Sequence, residues 1–310
     1  MINTEPVNQI KLIGLDKIFK ELLILEKKKL LPNKILLSGQ KGIGKSTLAY
    51  HFINYILSQD EDFNYDIDNQ IINLENQSFK TVLNNSNPNF KLISVNLEKK
   101  YIDIKQIREL IHDLNKSSFN NKKRFVLIDN IELLNTNSVN ALLKILEEPT
   151  YNVYFILINS NKKILPTLIS RCITFKVNLS NNESLYIANK LLDDKLYKLI
   201  NKELINYYST PGNILNLAKF AELNKYDLSK INLKEFLKIF IKNNHYKKDN
   251  IIKYLIFDFF EYYLRKISIS VSPDIYEKYS YFLNRISDTK KFNLDEESLF
   301  MELNDNILNG

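Results

Sequence analysis

Apolar positions along this chain change their period once, and the change divides it. Through the first 177 residues, short unbroken apolar runs alternate with segments in which apolar residues recur every three or four positions. The runs Lys34-Ile-Leu-Leu-Ser38, Lys91-Leu-Ile-Ser-Val95, Phe125 to the acid Asp129, Tyr154-Phe-Ile-Leu-Ile158 and Thr174-Phe-Lys-Val177 predict buried strands. Between them, three segments fall at helical spacing: Thr47 to Leu57; Ile104, Ile107, Leu110, Ile111 and Leu114; and Val139, Leu142, Leu143 and Leu146. Pro149 is expected to end the last of these, because it lacks an N–H and its ring clashes with the preceding turn. Residues 59–90 are polar, weakly periodic and read as loop. Strands that alternate with helices predict a mostly parallel sheet covered on both faces.

After Val177 the strand-like runs stop. Leu233, Phe236, Leu237 and Phe240, and then Ile252, Leu255, Ile256, Phe259 and Tyr263, repeat as helices do, and Pro211-Gly212 punctuates the region. The pattern predicts an α/β domain with a parallel sheet over residues 1–178, a small helical unit over 179–222 and an all-α C-terminal domain over 223–310, with no internal repeat.

Composition narrows the chemistry. In 310 residues there is one cysteine, Cys172, which excludes an internal disulfide and a multi-cysteine zinc site. Cys172 itself is expected to be a small buried residue. No run approaches the roughly 18 apolar residues of a membrane span. The N-terminal MINTEPVNQIKLIG lacks the basic-then-apolar order of a signal peptide, so a cytoplasmic location without a membrane partner is expected. The net charge of +7 is spread along the chain. It permits contact with nucleic-acid phosphates but reads more simply as a solvated lysine-rich surface.

The chain has six glycines, and three of them, Gly39, Gly42 and Gly44, fall in GQKGIGKS between a predicted strand and a predicted helix. This matches G-x-x-x-x-G-K-[ST] in full and in the required context. Glycines let backbone N–H groups curl around phosphate oxygens, and the following helix adds its positive end. Lys45 is placed to reach the β- and γ-phosphates, Ser46 to ligate magnesium, and Thr47 to sit beside them, so ATP with magnesium is the expected ligand.

Asp129, closing its strand, is the second magnesium candidate. The next position, where a catalytic glutamate would sit, is Asn130, whose amide cannot accept a proton from an attacking water. Glu132 lies two residues on and is a less favoured substitute. The expectation is a site that binds nucleotide and is poorly equipped to hydrolyse it.

Two further stretches are more specific. Asn140-Ala-Leu-Leu-Lys-Ile-Leu-Glu-Glu-Pro149 and Leu165-Pro-Thr-Leu-Ile-Ser-Arg-Cys172 resemble clamp-loader subunits of the AAA+ class, and within it the delta-prime family of the bacterial DNA polymerase III clamp loader. The likeness runs from Ile13-Gly14 to about Phe175 and fades in the helical part. It implies an AAA+ P-loop domain, a helical lid and a C-terminal collar. It implies that Arg171 is an arginine finger acting in trans on the ATP of a neighbouring subunit. It also implies that Asn159 is a sensor that orients water, although a strand-end turn residue is an equal reading. The implied role is a nonmotor subunit that assists ATP-dependent loading of a sliding clamp onto primed DNA, with motor and clamp-opening subunits as partners.

Departures from the family pattern support the nonmotor role. Asn130 replaces the glutamate, and Asn213 stands where motor subunits carry a lid arginine. The cysteine-based zinc module of many relatives has no counterpart in residues 59–90. An ATP-hydrolysing motor or another AAA+ ATPase, with Glu132 as base, remains the main alternative. A small-molecule kinase is disfavoured by the SRC element. A DNA-binding module is disfavoured by Asp258, Glu261, Asp295, Glu296 and Glu297 among the lysines of the tail.

Overall fold

Ile35, Leu36 and Leu37 are consecutive and all buried. Because successive strand side chains point to opposite faces, a run like this needs cover on both sides. The computed structural model supplies it. The structure describes residues 2–309 apart from 96–98, 100, 117–119, 149–150, 208, 249, 269–272 and 293. Five strands, β1 (Lys34–Ser38), β2 (Phe90–Ile93), β3 (Arg124–Ile128), β4 (Val153–Asn159) and β5 (Ile173–Lys176), form one sheet in the order β2-β3-β4-β1-β5. All neighbours pair in parallel. Ile35 and Leu37 enter the apolar cluster on one face, with Phe19, Phe52 and Phe79, while Leu36 enters the other, with Ile107, Leu142 and Leu157.

Around the sheet, α1 (Asp16–Lys27), α2 (Lys45–Leu57), α3 (Gln77–Leu83), α4 (Ile104–Leu114), α5 (Thr136–Glu147) and the single turn α6 (Pro166–Ile169) precede or separate the strands. These helices follow the sequence with three exceptions, α1, α3 and α6. The helix α4 opens on a capping box in which Asp103 and Gln106 satisfy each other's backbone N–H groups. The loop expected over 59–90 is corrected at α3, which Asn76 caps and which buries Phe79 and Val82. The helix α1 lies in a segment for which the sequence pattern predicts no element, yet Phe19, Leu22 and Leu23 bury one face of it. Pro149, expected to end α5, lies outside the described residues; α5 ends at Glu147 with Glu148 as its cap.

The chain divides into two compact units, Asn3–Ile187 and Met1–Ile2 with Ala188–Gly310. The second is helical: after α7 (Asn181–Leu191) come α8 (Leu196–Leu199), α9 (Pro211–Asn224), α10 (Leu233–Lys242), α11 (His245–Lys248), α12 (Asn250–Ser268), α13 (Pro273–Phe292) and α14 (Glu296–Leu303). Its abundant aromatics form an internal core. Phe220, Phe236, Phe240, Phe260 and Phe300 are fully buried, and Phe236 meets Phe259 edge-on at 5.4 Å. No helix among the described residues is long and apolar enough to cross a membrane.

Candidate nucleotide-binding site

Register decides which residues meet. Ser38 pairs with Asn159, and Ile128 pairs with Leu157, so the carboxyl ends of β1, β3 and β4 lie side by side. The glycine loop leaves β1 there, Asp129 leaves β3 there, and Asn159 closes β4 there. This end of a parallel sheet is where α/β folds place their ligands.

The loop is shaped by its glycines. Gly42 and Gly44 have φ of 83° and 93°, a left-handed conformation that side chains resist. Gly39 is excluded from change by space: a Cβ there would lie 2.1 Å from the Val177 carbonyl oxygen and 2.6 Å from Ile43 Cδ1. The Gly39 N–H donates to the Asn159 carbonyl at 3.2 Å, which ties the loop to β4.

Lys45, the first residue of α2, is only 4% exposed. Its ammonium donates to the carbonyls of Gly39 at 2.9 Å and Gln40 at 2.6 Å, so the loop curls around its own lysine. Burial lowers the Lys45 pKa from the ordinary lysine value to about 8, against the opposing pull of Asp129 and Glu132. Lys41, on the same loop, is lowered by burial and then by the charge of Lys162. Ser46 Oγ donates to Asp129 Oδ2 at 3.1 Å. Burial raises the Asp129 pKa, while the Ser46 hydrogen bond and the Lys45 charge hold it down. A hydroxyl and a carboxylate side by side are the hard oxygen donors that magnesium takes. The buried cation, the glycine cradle and this oxygen pair fit ATP with magnesium. Among the described residues no group of three or more His, Cys, Asp or Glu side chains gathers as a metal site.

Asn130 follows Asp129 in the left-handed conformation, φ 60° and ψ 60°, which asparagine tolerates well. Its Oδ1 accepts a long hydrogen bond from Ser160 Oγ at 3.5 Å. Glu132 accepts the Ser160 N–H at 3.4 Å, and its charge acts on Lys41, Lys45 and Asp129. Asn159 is 5% exposed and committed to a turn, with Nδ2 donating to the Lys162 carbonyl at 3.0 Å and Oδ1 accepting the Lys162 N–H at 3.2 Å.

Arg171 lies elsewhere. It precedes β5, whose Ile173 pairs with Ile35 and whose Lys176 pairs with Ser38. The residue therefore sits at the opposite end of the sheet, about 10 Å or more along the strand from the glycine loop of its own chain. Its Nη1 donates to the Thr167 carbonyl at 2.8 Å, and its Nη2 meets Glu147, the last residue of α5, at 2.5 Å. The two motif stretches are thus joined by one ion pair. Cys172, expected to be buried, is half-buried, and burial pushes its thiol up to about 11. Asn213 donates its backbone N–H to the Thr210 hydroxyl, which caps α9. Glu147 and Lys162 went unnoticed in the sequence. Lys162 has no motif around it, and Glu147 was visible only as part of a helix end.

The chain matches the family model described as "DNA polymerase III, delta subunit" over residues 15–181, more than half of its length. A DNA polymerase III subunit gamma from Buchnera aphidicola subsp. Schizaphis graminum is 32% identical over 143 residues, covering 44% of this chain and 39% of that protein. The chain therefore spans about two fifths of the length of that relative. A DNA polymerase III subunit delta' from the same organism is 26% identical over 257 residues, covering 78% of this chain and 75% of the relative. Among solved structures, a DNA polymerase III gamma subunit-related protein from Thermotoga maritima, 18% identical, superposes with a TM-score of 0.50 over 91% of this chain and 96% of its own. That last likeness concerns the fold alone.

Proposed function

The chain belongs to the DNA polymerase III, delta subunit family of clamp-loader subunits, and on that premise we propose that it is a nonmotor subunit that binds ATP with little hydrolysis of its own and donates Arg171 to a neighbour's ATP. Its partners would be the motor and clamp-opening subunits, and through the complex the sliding clamp and primed DNA. Its place of action would be the cytoplasm. Residues 179–222 would form the lid and 223–310 the collar.

The observation that carries this reading is the contrast between a full nucleotide cradle and Asn130 in the position of the base. The loop from Gly39 through Ser46, with Thr47 behind it, would hold the phosphates, and Ser46 with Asp129 would hold magnesium. Bound magnesium supplies charge neutralisation at the phosphates. Asn130 cannot take a proton, and Asn159 is occupied in its turn. Arg171, at the far end of the sheet, would supply positive charge where negative charge develops on another subunit's nucleotide.

The test is steady-state ATP turnover of the assembly with its motor and clamp-opening subunits, clamp and primed DNA, in wild type and Arg171→Ala. A loss on the order of a thousandfold at the served site is expected with assembly intact. Unchanged turnover sinks the finger reading. A second reading, a subunit that hydrolyses ATP itself, is favoured by one observation: the Glu132 charge bears on Lys41, Lys45 and Asp129. Turnover by the isolated chain that Glu132→Gln abolishes would replace the first reading with this one.

A further inference from the structure

Arg171 has a partner that no part of the trans-finger role requires. Its side chain is 31% exposed and pairs with a Glu147 that is 52% exposed, while Nη1 is held by the Thr167 carbonyl in α6, four residues back. A guanidinium carries five N–H donors, and these contacts engage two of its nitrogens, so the group stays outward-facing while its charge is cancelled. A finger in this state presents no net charge to a phosphate. The Glu147 carboxylate beside it would repel one.

We propose that Glu147 is the resting partner of Arg171, a positioning residue that holds the finger neutral at the end of α5 and is exchanged for phosphate when a neighbouring subunit binds. This inference rests on the trans-finger reading. The geometry suits an exchange. The Thr167 hydrogen bond is a neutral pivot from one turn back, and it survives while Nη2 changes partners. The Glu147 pair is exposed, hence screened by water and cheap to open. Glu148 follows as the cap of α5, and Lys144 lies in the last turn of the same helix. Loss of the Glu147 carboxylate frees Nη2 for another acceptor, which favours the deployed finger.

The test measures turnover of the full assembly with wild type, Glu147→Gln, Glu147→Asp and Arg171→Ala, over a series of salt concentrations. At low salt Glu147→Gln is expected to raise turnover by about twofold to fivefold, the span of an exposed ion pair. Glu147→Asp should stay close to wild type. The advantage of Glu147→Gln should shrink as salt screens the pair in wild type. A structural role for Glu147 would give none of this salt convergence. Arg171→Ala separates the two claims. If it leaves turnover unchanged, the finger reading and this inference both fall. If it lowers turnover but Glu147→Gln lowers it too or leaves it unchanged, the finger stands and the resting-partner role is overturned. Glu147→Gln is close in size and lies at the surface, so matched circular-dichroism melting curves establish that every variant compared is folded.

Discussion

Lys45 and Arg171 are the two cations that this chain would bring to phosphate, and the fold holds them in opposite ways at opposite ends of one sheet. Lys45 is buried, and its direct partners are two carbonyls of its own loop. Arg171 is part-exposed, and its partner is a carboxylate. The first arrangement leaves a buried charge underpaid by its surroundings, visible as a pKa brought down to about 8, and an anion in the loop would restore it. The second is already neutral and completes nothing in its own chain. A buried cation is part of a site, whereas an exposed one with a loose partner is something a site elsewhere can borrow.

The contrast is sharpest at Gly39. The glycine-loop end is built into the packing of the sheet, and substitution there should reach the fold itself. In Gly39→Ala the new methyl meets the Val177 carbonyl oxygen, which is backbone and cannot swing aside. Overpacking of this kind costs about 1–3 kcal/mol. The variant should melt earlier in denaturant and lose nucleotide affinity together. A variant with wild-type stability would mean that the loop and β5 separate more freely than the contact implies.

The legibility of the chain divides along the same line. The glycine loop, Asp129 and the strands around them could be read because each depends on local sequence: a spacing of glycines, an unbroken apolar run, an acid at its end. The helical second half was legible as helix for the same reason, through residues such as Phe236, Leu237 and Phe240. The helix α1 was missed although Phe19, Leu22 and Leu23 carry its spacing. The helix α3 is two turns long, too short for a period to declare itself, and its start depends on the Asn76 cap. What no local pattern encodes is register. Only the pairing of Lys176 with Ser38 tells that Arg171 lies away from the loop. Only the approach of the end of α5 to the segment before β5 tells that Glu147 is its partner.

The buried lysine also makes a prediction in pH. With a free-state pKa of about 8, Lys45 is protonated below that value and neutral above it. A bound phosphate favours the ammonium and raises the pKa, so binding above pH ~8 must take up a proton. Nucleotide affinity should be flat in this respect below pH ~8 and then fall by about tenfold per pH unit until the bound-state pKa is reached. Titration calorimetry in buffers of different ionisation enthalpy would show the proton uptake. Lys45→Arg, protonated throughout, should bind with no such slope. An equal slope in that variant would assign the proton to another group and weaken the contrast between the two cations.

The smallest effect belongs to the other end. In the isolated chain, Arg171→Ala removes one exposed ion pair and one hydrogen bond to the Thr167 carbonyl, which water can replace. Such changes usually fall within about 0.5 kcal/mol. Denaturant melts of the isolated protein should therefore be nearly superimposable for wild type and Arg171→Ala, while the assembly feels the substitution strongly. A loss of 2 kcal/mol or so in the isolated chain would place Arg171 among the groups that hold α5 against the segment before β5. The difference between the two cations would then be one of degree, since both would be stabilising their own fold. A silent substitution in the isolated chain that is severe in the assembly, with Arg171 at the far end of the sheet from its own glycine loop, is the pattern of a guanidinium that acts on a neighbouring subunit.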